Sequence, residues 1–144
     1  MHYHNINLYA VLASVGASFL ISSLWYSPFL FGQIWANGLR KTEEDLSKGR
    51  GIISFFVAIV GAFAISFIMA HILNIFHDTY KNHPEDNSPT TFLKTAIYIW
   101  FAFIAMIGLI QANFERSSYK VWLVNAGFRL IEIASISMIL FFYK

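Results

Sequence analysis

The chain is 144 residues long with a formal net charge of +2; 57% of its residues are apolar, 18% aromatic and only 12% charged. An ordinary soluble domain carries about 25% charged residues, so ten Lys and Arg with eight Asp and Glu cannot coat a core of this size, and the solvent must be largely lipid. The absence of cysteine excludes disulfide frameworks, thiolate metal sites and thiol nucleophiles, and cations this few and scattered leave no footprint for nucleic acid.

Four apolar runs follow one another at residues 6–26, 52–76, 92–110 and 121–142. Each meets the need of about 20 residues for a hydrocarbon layer of about 30 Å. The expected architecture is therefore all-α: a single polytopic membrane domain over residues 1–144, with four transmembrane helices in a bundle. Met1 to Asn5 lacks a basic n-region and no small-residue cleavage site follows, so the first run is expected to remain as a span.

Ser27-Pro28 ends that run, since proline lacks the N–H and restricts the residue before it. Residues 29–39 then place Phe31, Trp35 and Leu39 four apart, the pattern of a short interfacial helix. Thr42-Glu43-Glu44-Asp45 has the form of a capped helix start, with Gly49 and Gly51 weakening any continuous passage into the second run. That second run has no charge and, at about 1.5 Å per residue, exceeds the bilayer core, so it should tilt or protrude. Ser88-Pro89 forms an N-cap and N1 pair for the third helix. The turn at residues 115–120 is tight.

Lys and Arg in short loops set orientation. Arg40, Lys41, Lys48, Arg50, Arg116 and Lys120 share one face, against Lys81, Lys94 and Lys144 on the other, which puts both termini outside the cytoplasm. Trp25, Tyr26, Trp122 and Tyr143 mark interface depth, whereas Trp100 falls in mid-span, where its indole N–H needs a partner inside the bundle. Small residues recur at every fourth position, as Ala10, Ser14, Ser18 and Ser22 and then Ser54, Ala58, Ala62, Ser66 and Ala70. Such ridges mark helix contacts, either between the first two spans or in self-association.

The fourth run holds the charges of greatest interest. Asn125, Arg129 and Glu132 follow i, i+4, i+7 spacing on one helix face, with the two charges about 12 and 16 Å into the membrane. Two central charges cost roughly 5–7 kcal/mol, about what the apolar residues of the same helix return. This helix needs the bundle, with Gln111, Asn113 and the serines of the first span as candidate partners. Intramembrane ionisable residues mark proton, ion or substrate pathways; a self-paired Arg and Glu can equally fix helix register.

His71, His77 and Asp78 are weak metal candidates, because their spacing is no recognised ligand motif, and no metal or cofactor is expected. Phosphate-binding, dinucleotide, nucleophile-elbow and zinc-protease motifs are absent, so no enzymatic activity is expected. Small size and short loops favour a non-catalytic accessory or scaffold subunit held to other membrane subunits; the alternative is a homo-oligomeric transporter or channel using Arg129 and Glu132.

The stretch Trp25-Tyr26-Ser27-Pro28-Phe29-Leu30-Phe31-Gly32-Gln33-Ile34-Trp35, followed by Glu43-Glu44-Asp45, resembles the first-span exit of a bacterial membrane family catalogued as domain of unknown function 1761. Phe114-Glu115-Arg116 and Val124-Asn125-Ala126-Gly127-Phe128-Arg129 are similar to that family's turn into its last helix. The resemblance implies a multi-pass protein of the bacterial inner membrane and no catalytic residue. It also directs attention to an aromatic corner of Trp25, Tyr26, Pro28, Gly32 and Trp35.

Overall fold

The computed structural model describes residues 6–41, 44, 51–79 and 88–143. Among them the chain is helical: α1 (Leu8–Trp25), α2 (Gly32–Gly38), α3 (Gly51–Thr79), α4 (Pro89–Phe114) and α5 (Tyr119–Phe142). α1, α3, α4 and α5 are each long and apolar enough to cross a membrane. The expected all-α architecture with four spans is thus present, with boundaries moved by local chemistry. Asn7 starts α1 by accepting from the amides of Tyr9 and Ala10 at 3.0 and 3.3 Å. Ser88 and Pro89 start α4 three residues before its apolar run, Ser88 Oγ accepting from the Thr91 amide at 3.3 Å. The interfacial helix is shorter than residues 29–39, because the chain first turns back on α1: the amides of Phe31 and Gly32 donate to the carbonyls of Trp25 and Ser27, each at 3.1 Å. The capped start at Thr42 and most of the loop after α3 lie outside the described residues.

α5 is the axis of the bundle, against which α1, α4 and α2 pack, while α3 leans mainly on α1. At the end where α1 begins and α5 ends, Asn7 Nδ2 donates to the Tyr143 carbonyl at 2.7 Å, tying the first helix to the last. The core sits in this half, where Val11, Met69, Leu73, Phe92, Ile136 and Leu140 are buried together. Ser137 donates to the Phe92 carbonyl at 3.0 Å across the same layer. The small-residue ridges meet only here: Ala10, Ser14 and Ser18 of α1 and Ala62, Ser66 and Ala70 of α3 are buried. Toward the opposite, basic end, Ser22 is half-buried and Ser54 and Ala58 are exposed, so the small-residue ridges part there and the two helices are bridged instead by the rings of Phe19 and Phe55, 5.6 Å apart.

In the middle of α4, residues Trp100–Ala105 form a π-helical turn. Such a turn shifts the intrahelical hydrogen-bond register, and in lipid every backbone group must find a partner within the protein. Trp122 Nε1 serves here, donating from α5 to the Ala105 carbonyl of the turn at 3.0 Å, while Trp100 Nε1, on the turn itself, donates to the Ala126 carbonyl of α5 at 2.7 Å. The expected partner for Trp100 is found, and Trp122, in the first turn of α5, also clamps α5 onto α4. Trp100→Phe keeps an aromatic side chain, though a smaller one, and removes one of these bonds, so it should lower unfolding stability in detergent by about 1–2 kcal/mol; thermal unfolding followed by circular dichroism measures it.

Candidate functional site

The Arg129–Glu132 pair forms on α5 as its spacing predicts, Arg129 Nη1 donating to Glu132 Oε2 at 2.5 Å. The two members are unequal: the Glu132 side chain is 3% exposed and that of Arg129 42%. Glu132 faces the closed layer of the bundle, while the guanidinium reaches into open space, 5.1 Å above the Phe128 ring.

That space is the cleft left between α1 and α3. It has a volume of about 490 Å³ and is lined by Ser18, Ser22, Ser54 and Ala58 with Phe128, Arg129 and Glu132 at its floor. A second cavity of about 410 Å³, between α4 and the first half of α5, runs from Leu39, Glu115 and Ser117 to Asn125 and the same Arg129. Both extend from the basic end to mid-span, and the arginine is common to both. A smaller cavity of about 170 Å³ lies at the other end, beside Asn7, Asn74 and His77. The apolar layer of Val11, Met69 and Ile136 stands between. Within this middle zone the buried hydroxyls of Ser18 and Ser66 have no hydrogen-bond partner among the described residues. Ser18 is one of the residues lining the larger cleft.

The expected second partners of the pair are occupied elsewhere. Gln111 Nε2 donates to Glu115 Oε1 at 2.8 Å, Asn113 Oδ1 accepts from the Tyr119 hydroxyl at 2.9 Å, and Asn125 Oδ1 accepts from the Tyr26 hydroxyl at 2.9 Å. Asn125 therefore lines the second cavity with Arg129 but not the first with Glu132. The serines of α1 are the members of the expected set that join the pair in the cleft.

The aromatic corner buttresses this floor. Trp25 Nε1 donates to the Val124 carbonyl at 3.0 Å and its ring lies 4.4 Å from that of Phe31. The Tyr26 ring lies 5.3 Å from both Trp35 and Phe128, so the residue next to Arg129 is held by α1 and α2 together. Gly32 passes against the Tyr26 carbonyl so closely that any side chain there would collide with it. Pro28 is exposed at the turn.

No group of three or more potential metal ligands occurs among the described residues. His71 and His77 are six apart on α3, two-thirds of a full rotation round the helix. His71 Nδ1 lies 3.1 Å from the Phe67 carbonyl.

Helix order, corner and charged span together define a small polytopic α-helical membrane protein. The family described as "Protein of unknown function (DUF1761)" matches residues 9–141, and the chain belongs to it. No curated protein matches. No solved structure matches.

Proposed function

We propose that this is a non-enzymatic membrane protein that admits a small polar solute or ion to the Arg129–Glu132 pair and, as a homo-oligomer, passes it across the bilayer. The observation that carries this reading is the half-exposed Arg129 at mid-span, which lines both of the cavities that extend from one end of the bundle. A charge that only fixed register would be expected to lie closed on its partner, because an exposed guanidinium at that depth is costly. The apolar layer beyond Glu132 acts as the barrier and the cleft as the vestibule. The family resemblance and the excess of cations at the basic end support a bacterial cytoplasmic membrane with that end inward and both termini outside.

Proteoliposomes loaded with a pH dye, or shrunk and reswollen in potassium formate or glycerol, would read the flux. Wild type should conduct at least one probe and Glu132→Gln should reduce that flux by about tenfold or more while remaining folded. Flux unchanged by Glu132→Gln would end the assignment.

A second reading is favoured by the exposed small residues Ser54 and Ala58 on the cleft wall, which leave a seat for a helix of another chain. In that case the protein is an accessory or scaffold subunit, and Arg129 meets a polar group of its partner. A foreign subunit in fixed stoichiometry after gentle extraction, with no flux from the isolated chain, distinguishes it.

A further inference from the structure

At the basic end, α2 and α4 finish in the same way. The amides of Arg40 and Lys41 donate to the carbonyls of Asn37 and Ala36, and the amides of Arg116 and Ser117 donate to those of Asn113 and Ala112. This is the Schellman closure, whose first residue beyond the helix cap takes a left-handed backbone. In both turns that residue is an arginine, with φ of 54° at Arg40 and 52° at Arg116. Glycine adopts this conformation without steric cost; here each position holds a cation instead.

The two turns face one another across a cavity of about 710 Å³, and Lys120 completes a ring of three cations around the hydroxyls of Ser117 and Ser118. Among the described residues no acidic side chain lines it, and none of the three cations has an ion-pair partner. The first turn of α5, which carries no acid, adds amide donors of the same sign. Lys120 also borders an apolar groove of about 530 Å³, formed by Trp25, Phe31, Leu123 and Gly127. From Lys120 to Gly127 the groove descends about 10 Å along α5 into the membrane.

Cationic pocket above, apolar groove below, joined through one lysine: this is the polarity profile of a phospholipid. We infer that Arg40, Arg116 and Lys120 bind the phosphate of an anionic phospholipid whose acyl chain lies in the groove beside Trp25 and Leu123. The site is separate from the Arg129–Glu132 cleft and stands whether or not that cleft conducts. Free phosphate shares the headgroup chemistry, but it gives no use to the groove.

Native mass spectrometry of the full chain in detergent, with phosphatidylglycerol and phosphatidylcholine supplied in equal amounts, tests the assignment. Wild type should retain one phosphatidylglycerol with about tenfold preference, since each cation near an anionic headgroup contributes about a fivefold factor before competition with water and salt. The triple variant Arg40→Gly, Arg116→Gly, Lys120→Gln should fall to parity. It keeps both turns, because glycine suits their backbone, so loss of folding does not mimic loss of binding. Lys94→Gln, which removes a cation at the opposite end, should leave the preference intact. Equal retention of the two lipids by wild type, or an undiminished preference in the triple variant, would overturn the inference. Complete displacement of the lipid by excess inorganic phosphate would overturn it as well, by making this a site for free oxyanions.

Discussion

Glu132→Ala is expected to remove about 3 kcal/mol of stability, the largest loss from a single polar change in this bundle. The carboxylate is almost fully enclosed and is bonded to Arg129 across one helical turn. Without it the guanidinium keeps the Phe128 face and whatever water enters the cleft, and nothing else on its own helix carries a negative charge. Removing one partner of a buried pair is costly because the other remains as an uncompensated charge; the half-exposure of Arg129 holds the loss toward the low end of that range. The double variant Arg129→Leu, Glu132→Leu should recover most of the stability, because two aliphatic side chains suit this depth better than two charges. Thermal unfolding in detergent, with helicity followed, measures both. The comparison then bears on function: a stable double variant that has lost flux means that the pair is present for the solute. A stable double variant with full flux would sink the cleft assignment.

The spans were legible because lipid leaves a chain little freedom. A run of about 20 apolar residues has to be helix there, since every backbone group must be satisfied within the segment. The cap at Ser88-Pro89 and the unmet need of Trp100 could be read for the same reason: each is a local demand with few solutions. The Arg129–Glu132 contact was legible too, since three residues on a helix bring two side chains together. What the sequence does not carry is where helices fail to touch. The ridges of α1 and α3 are continuous in sequence, yet only their buried halves meet, and the cleft is the unclosed remainder. Trp122 reads as an interface anchor by position; its clamp onto α4 depends on the π-helical turn opposite, which no local pattern announces. Arg40 and Arg116 count as topology signals until the backbone shows both in left-handed turns facing one cavity.

Gly32→Ala tests how far the aromatic corner governs the site below it. A β-carbon at this position would run into the Tyr26 carbonyl and come within 2.8 Å of the Ser27 carbonyl, both main-chain atoms that cannot turn aside. The corner must then open, which should cost about 2–3 kcal/mol, the upper range for overpacking. Gly16→Ala is the matched control: nothing lies within 4 Å of a β-carbon there, so in mid-helix it should be neutral or gain about 0.5–1 kcal/mol from better helix propensity. The corner change should also be felt at a distance. Tyr26 holds Asn125 through its hydroxyl and packs on Phe128, the residue beside Arg129. Displacing it loosens the floor of both cavities without touching either charge. Gly32→Ala protein that is rescued to wild-type melting by added lipid but still lacks flux would place the corner among the positioning elements of the cleft. If flux survives in Gly32→Ala at reduced stability, the corner serves assembly of α1, α2 and α5 alone, and Arg129 is held in place by α5 and Glu132 without help from the interface.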